Sequence, residues 1–449
     1  MTATPDDPSA PGAAKASGAG IAYDAQVLDA TLAALRERPI GPAEKAFTAL
    51  APLTPADLVE RKAGLRTGEI TFPLMVLRET ALASNVTTMA AWCAERGVVL
   101  APHGKTSMSP EVTARQLRAG AWGITAATIG QVRAYAECGV RRILLANQLV
   151  DPAGIGWLAA ATTADPDLTV YVCVDSTEGV ALLDEALRAH AASRPLPVLV
   201  EIGVPGRRTG ARGHDAAMAV GRAAAAAPML RVAGATGYEG VLGHGRDEVA
   251  LAAAAEFCRE VRALGLALRE EGLVDVPDGR LLLSAGGSTY FDVVAQELTG
   301  VPSSTVVVRS GGYVTHDEEL YGHATPLPTG GRPHELRAAL EVWAYVLSRP
   351  EPTRALVGAG RRDVPFDVAL PSVGAAVGPD GRRRDVTGVR VSALNDQHAF
   401  LDLPTEADLA VGDLVRFGIS HPCTAFDKWR LVPVVDEEDR IVEVAHTLF

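Results

Sequence analysis

The sequence predicts an eight-stranded parallel (β/α)8 barrel of the TIM type, followed by a C-terminal antiparallel β-domain. Two observations carry this. Between residues 72 and 312 short apolar runs recur, separated by stretches with helical spacing. After about residue 330 the alternation stops, and short runs parted by Gly and Pro turns take over. Alternating strand and helix is the pattern of a parallel α/β fold, and roughly 240 residues suits a barrel of about 250. An open, doubly wound sheet is the alternative arrangement.

Taken in order, residues 1–20 are rich in Ala, Pro, Gly and Ser, with neither a basic start nor a continuous apolar segment, and read as a disordered tail. Residues 21–66 are a helical segment, with Leu28, Leu32, Ala33 and Leu35 on one face, available to pack on the β-domain. The barrel is assigned to 67–325 and the β-domain to 326–449. Nine runs compete for the eight barrel strands: "FPLMVL", "VVLAP", "WGITAAT", "RILLAN", "LTVYVCV", "PVLVEIG", "LRVAGATGYEG", "RLLLSAGG" and "STVVVRSGG". One of them is therefore misassigned or accessory. Helix starts are signalled where a hydroxyl precedes proline and an acid, as in Ser109, Pro110 and Glu111. "HAFLDLP", "DLVRFGIS", "RLVPVV" and "RIVEVAH" supply strands of the second domain.

Composition narrows the function classes. A formal charge of −12 argues against nucleic acid or an anionic membrane surface as partner. No apolar run reaches the roughly 18 residues a membrane-spanning helix needs. Five scattered cysteines fit a reducing cytoplasm better than a disulfide framework. The expected partner is a small molecule.

Chemistry in such a barrel belongs at the C-terminal ends of its strands. Lys105 in "APHGKTSMSP" stands there, as do Asn147 after "RILLA", Arg208 after "VLVEIG", and Tyr238 and Glu239 after "RVAGAT". The segment "SAGGST" at 284–289 offers backbone N–H groups and hydroxyls at the start of a late helix, where such barrels hold phosphate. A strand-end lysine opposite a phosphate cradle is what pyridoxal 5'-phosphate requires, because the lysine condenses with its aldehyde and the cradle anchors its far end.

Six motifs in order, "PHGKT", "EIGVPGRRTG", "SAGGST", "RSGGYVTHDEELY", "LNDQHAFL" and "SHPCTAFDKW", resemble the D-serine dehydratase and D-threonine aldolase family, metal-assisted relatives of alanine racemase. The resemblance runs from about residue 70 to the C-terminus. It implies that Lys105 is the Schiff-base lysine, that Arg208 and Tyr238 lie by the cofactor ring, and that Ser284, Gly286, Gly287, Ser288 and Thr289 hold the phosphate. Two positions depart from the family pattern: Gly203, where aspartate is usual, and Ser107, where histidine is frequent.

In "SHPCTAFD", His421 and Cys423 are two apart, a spacing that points both side chains to one face of a strand. Imidazole with thiolate suits Zn2+, whereas a carboxylate in place of the thiolate would favour Mn2+ or Mg2+. His103, His316, Asp317 and His398 are further candidates for the substrate site. Glu351, Arg354 and "GRRRD" at 381–385 read as solvated turn charges. The expected activity is a pyridoxal phosphate- and zinc-dependent lyase that deaminates a β-hydroxy D-amino acid. The alternatives are aldol-type cleavage and a cofactor-binding protein without turnover. The resemblance also implies a homodimer.

Overall fold

The computed structural model describes residues 21–42, 44–47, 53–327 and 335–449. The tail expected over 1–20 lies outside them. Among the described residues no helix is long and apolar enough to cross a membrane.

The first strand, β1 (Leu74–Arg78), is the misassigned candidate. It then gives way to the barrel: β2 (Val99–Leu100), β3 (Ile124–Ala126), β4 (Arg142–Leu145), β5 (Thr169–Val174), β6 (Leu196–Gly203) with the short β7 (Ala211–Arg212) beside it, β8 (Leu230–Thr236), β9 (Leu281–Ala285) and β10 (Ser304–Val308). Leaving β7 aside, these eight strands pair in parallel in the order β2-β10-β9-β8-β6-β5-β4-β3. The two end strands meet through Trp122 N–H to Leu100 O (2.7 Å), Thr125 N–H to Pro102 O (2.9 Å) and a parallel bridge between His103 and Thr125. The barrel therefore closes. Its lumen is filled by a layer of Ala101, Leu144, Leu199, Ala233, Leu282 and Val307, apolar side chains from alternating strand positions.

The second sheet is built from β11 (Leu340–Glu351), β12 (Arg354–Val357), β13 (Ser372–Val377), β14 (Arg383–Asp385), β15 (Arg390–Leu394), β16 (Ala399–Asp402), β17 (Leu414–Gly418), β18 (Leu431–Val435) and β19 (Ile441–His446). "FPLMVL" belongs here: β1 pairs antiparallel with β11 (Met75 opposite Val342) and parallel with β18 (Leu77 opposite Val434). An apolar run alone cannot say which sheet a strand joins, because pairing is non-local. The placement is fixed by a buried ion network. Arg78 Nε donates to Glu341 Oε2 (2.8 Å), and Arg416 Nε on β17 donates to Glu341 Oε1 (2.7 Å). Two cations outweigh the burial of Glu341 and hold its carboxyl below the usual range. "GRRRD" is only partly a solvated run, since Arg384 on β14 pairs with the buried Asp413.

The N-terminal segment packs on both units. Helix Ala25–Arg36 lies against the barrel helix Pro110–Arg118, with Leu28 buried and Ala33 exposed, whereas helix Pro55–Glu60 packs on β19. The second sheet reaches the barrel mouth through the loop after β10. There Glu318 N–H donates to Ile419 O (3.2 Å) and Ser372 Oγ to Glu318 Oε2 (2.6 Å). That docking brings residues 420–423 over the barrel.

Candidate active site

Lys105 lies in a single helical turn, Gly104–Thr106, immediately past β2. Its neighbours from Gly104 to Pro110 are buried and it alone is exposed, so the turn presents one amine at the barrel mouth. Gly104 is required for this. A Cβ there would overlap the Tyr135 hydroxyl, which donates to Gly104 O (2.8 Å). His103, two residues before Lys105, is half-buried with Nδ1 enclosed and unpartnered, and its desolvation together with the Lys105, Arg309 and Arg208 cations pushes its pKa well below the ordinary value. It is a neutral imidazole.

The two late loops carry matching glycine pairs. Gly286 and Gly287 follow β9, the seventh barrel strand, and Gly311 and Gly312 follow β10, the eighth. They face each other: Gly312 N–H donates to Ser288 Oγ (3.2 Å) and Ser310 Oγ to Gly287 O (2.8 Å). A Cβ on Gly312 would lie 2.6 Å from the Tyr321 ring, so only glycine leaves this concavity open. Two expectations need correction. The N–H groups of Gly286 and Gly287 are not free, because the buried Glu239 carboxylate accepts from both (2.9 and 2.7 Å). The Ser284 hydroxyl is not free either: it donates to Val307 O (3.0 Å) and accepts from Arg309 (2.7 Å). The backbone bends at Gly286 (φ +115°), which turns these groups back into the barrel wall. No described residue accepts from the N–H of Ser288 or Thr289, which stand just before helix Phe291–Leu298. Those two amides, in front of a helix N-terminus, fit a phosphate.

Beneath the cradle sits Arg309, 5% exposed. It donates to Thr236 Oγ1, Ser284 Oγ and Gly237 O, each at 2.7 Å, and among the described residues no carboxylate pairs with it. A buried guanidinium with only neutral acceptors leaves net positive charge below the proposed phosphate, which favours an anion there. Sequence reasoning named Glu239 at a strand end without a role, and gave Arg309, Gly311 and Gly312 only as part of a motif. The signal was present, since "RSGG" repeats the strand-then-glycine-pair pattern of "SAGG".

The ring side of the site holds Tyr238, half-buried, with the Arg208 guanidinium 5.1 Å from its centroid. Burial, then the neighbouring Glu239 charge, raises the Tyr238 pKa. The Asn147 amide is committed to the loops, donating to Ala127 O (3.2 Å) and accepting from Gln148 N–H (3.1 Å). At Gly203, a Cβ would collide with Thr209 O and the Arg212 guanidinium, so the aspartate usual at this place has no room here. Ser107 is buried and braces the turn by accepting from Ser109 N–H (3.3 Å).

His421 and Cys423 meet at the mouth, but not on a strand. Pro422 adopts helical angles (φ −57°, ψ −37°) and caps the short helix Cys423–Phe426, a position where proline loses no hydrogen bond. His421 Nδ1 is held by Asp367 (2.6 Å), which also accepts from Thr424 Oγ1 (2.8 Å). This leaves Nε2 for a ligand, as metal-binding histidines are usually oriented. Cys423 Sγ is 3.4 Å from Thr106 Oγ1. The adjacent Cys423, ahead of Asp367, raises the His421 pKa to about 9. Burial alone would push the Cys423 thiol up, but His421, Thr106 and the Lys105 charge outweigh it and hold the thiol below its usual range. Among the described residues no third His, Cys, Asp or Glu completes a metal cage. An imidazole nitrogen and a thiolate are donors of the kind Zn2+ takes, and two of them would leave positions open, so the donor types fit the ion.

Asp317 Oδ1 accepts from Glu319 and Tyr321 N–H (3.0 and 2.9 Å), while its buried Oδ2 has no partner. Burial raises this carboxyl to about 7. His316 is 1% exposed at φ +48°, with both ring nitrogens unpartnered, and burial lowers it to about 4. His398 does not join the group. It stands exposed in the turn between β15 and β16.

Two family models match consecutive parts of the chain: the alanine racemase N-terminal domain over residues 77–290 and the serine dehydratase domain over 339–435. Matched in this order, the two models support a likeness to the D-serine dehydratase and D-threonine aldolase family. The chain is 26% identical to D-threonine aldolase of an Arthrobacter species, covering 79% of this chain and 86% of that one. It is 29% identical to 3-hydroxy-D-aspartate aldolase of Paracoccus denitrificans, covering 80% and 87%. Among solved structures, D-threonine aldolase from Filomicrobium marinum superposes with a TM-score of 0.71 at 27% identity, over 85% of this chain and 96% of that one. The family's alanine racemase-like architecture is the barrel with antiparallel sheet described above.

Proposed function

We propose that this chain is a pyridoxal phosphate-dependent lyase acting on a β-hydroxy D-amino acid: it eliminates the β-hydroxyl as water, and the released enamine tautomerises and takes up water to give a 2-oxo acid and ammonia. One juxtaposition carries the reading. The exposed amine of Lys105 shares its turn with Thr106, and Thr106 Oγ1 touches Cys423 Sγ, 317 residues away in sequence. A lysine for the cofactor and a His-Cys pair for an ion thus flank one opening.

Lys105 would hold the aldehyde end of the cofactor. The Ser288 and Thr289 amides, with the Gly311–Gly312 turn, would hold its phosphate, and Tyr238, Arg208 and neutral His103 would surround its ring. Bound there, pyridoxal phosphate supplies an electron sink for charge developing at the substrate α-carbon. His421 and Cys423 would hold zinc, which supplies Lewis acidity toward the β-hydroxyl. The chain's own work is proton transfer and orientation. The Lys105 amine, once free, takes the α-proton; Thr106 and Asp367 fix the thiol and imidazole that face the β-carbon. Zinc is favoured over Mn2+ or Mg2+ because the pair contains a thiolate.

The named relatives, which are aldolases, favour a second reading in which the Cα–Cβ bond breaks instead. Product identification with D-serine, D-threonine and 3-hydroxy-D-aspartate separates the two. The expected products are a 2-oxo acid and ammonia. Glycine with an aldehyde would overturn elimination and keep the lyase. Neither product would make the chain a cofactor-binding protein without turnover. Exhaustive chelation should abolish turnover, and added Zn2+ should restore it. We also propose a homodimer, on the family resemblance, and a monomer in sedimentation analysis would overturn it.

A further inference from the structure

The barrel's other end is built for a ligand as well. Side chains on a strand alternate, so two residues before each lumen-filling Leu144, Leu199, Ala233, Leu282 and Val307, and before Tyr171, which packs against that layer, stands another inward position. Those six positions are Arg142, Thr169, Pro197, Arg231, Arg280 and Thr305. Where a barrel of this type usually packs branched apolar side chains, this one places three arginines. All six line a cavity of about 340 Å³ at the N-terminal ends of the strands. A volume of that order accommodates a small organic ligand.

The arginines are not equivalent. Arg280 is used up at the rim, bonding Thr305 Oγ1 (3.0 Å) and Ser304 O, and Arg231 faces Asp275 at 3.6 Å. Arg142 lies deepest, 6% exposed, over the Trp122 ring at 4.8 Å. It makes one hydrogen bond, to Trp122 O (2.7 Å), and among the described residues no carboxylate lies within ion-pair distance. A guanidinium has five N–H donors, and leaving most of them unmet in a buried place is costly unless something else accepts. The lining also includes Arg194, Asp275 and Asp278, so it carries four arginines against two aspartates in a chain whose formal charge is −12. Leu168, Leu187, Val276 and Leu282 supply an apolar wall.

The geometry points to a second binding site at the base of the barrel, for a small amphipathic carboxylate whose anionic head pairs with Arg142 and whose apolar body lies against that wall. The site is separate from the mouth. Arg142 opens β4 and Asn147 lies just past its other end, five residues on, roughly 16 Å of extended chain.

Naphthalene-1-carboxylate is a suitable probe, titrated calorimetrically into the cofactor-loaded full chain, with naphthalene-1-carboxamide as its neutral counterpart. One saturable site per chain is expected for the carboxylate, with the carboxamide at least tenfold weaker. Arg142→Met should weaken the carboxylate at least tenfold, and Arg280→Gln by a few-fold. Lys105→Ala should bind the probe as the unaltered protein does, because the mouth is not involved. Equal affinity for the two probes, absence of saturation at millimolar concentration, or loss of binding in Lys105→Ala would each overturn the assignment. The comparison of the two probes on the unaltered chain decides the matter even if Arg142→Met does not fold.

Discussion

Two arginines are buried in this barrel, one at each end, and they are held differently. Arg309, below the mouth, gives three hydrogen bonds to a threonine hydroxyl, a serine hydroxyl and a backbone carbonyl. Arg142, at the base, gives one and stacks on an indole. Neither has a carboxylate partner among the described residues. The first is a fixed part of the wall whose charge serves the cradle above it, and the second is a cation with donors to spare. The lesson is that burial of a charge says little by itself. What the surrounding groups accept decides whether the residue positions its neighbours or awaits a ligand.

The comparison can be tested from its strongest contrast downward. Lys105→Ala should lower turnover by roughly 10³-fold or more, the scale of removing a catalytic base that also anchors the cofactor. The absorbance of bound pyridoxal phosphate should change with it, and a variant of unchanged spectrum and rate would remove the mouth from the argument. Arg309→Met comes next. It removes three hydrogen bonds, to the Thr236 and Ser284 hydroxyls and to Gly237 O, so it should cost about 3 kcal/mol in urea unfolding and weaken cofactor retention on dialysis.

The mouth also carries a pH signature that the base lacks. Burial lowers His316 from 6.5 to about 4 in the folded chain, so as pH falls the unfolded chain takes up the proton first. The His316 contribution, present above pH 6.5, is therefore lost between 6.5 and 4, on the order of 3 kcal/mol, while the raised Asp317 carboxyl contributes in the opposite sense as pH falls from about 7. His316→Asn, in which asparagine tolerates the left-handed backbone at this residue, should remove the His316 part, so that its urea midpoints rise relative to those of the unaltered chain as pH falls from 6.5 to 4. The smallest effect is expected for Arg142→Met. Exchanging a desolvated, scarcely bonded guanidinium for an apolar chain should move stability by less than about 1 kcal/mol. A loss as large as that of Arg309→Met would erase the distinction between the two ends.

Much of this molecule was legible in its sequence. Local alternation of apolar runs and helical spacing determined eight barrel strands, because period and length are properties of neighbouring residues. The exposed lysine after a strand and the Gly-Gly-Ser-Thr turn were visible for the same reason: strand ends and glycine pairs are local signals. The family motifs added His421 and Cys423.

Tertiary structure decided the rest. Only strand pairing could move Leu74–Arg78 out of the barrel and into the second sheet, since its partners lie more than 250 residues away. Only the packed mouth could commit the Gly286 and Gly287 amides to Glu239 and the Ser284 hydroxyl to Arg309, because a hydrogen-bonding group announces its capacity in sequence but not its partner. The same holds for Pro422, which turned an expected strand into a helix start, and for Gly203, whose missing side chain makes room for Arg212. The ring of inward arginines at the base appeared only once the barrel had closed, because which face of a strand looks inward is set by its neighbours on both sides.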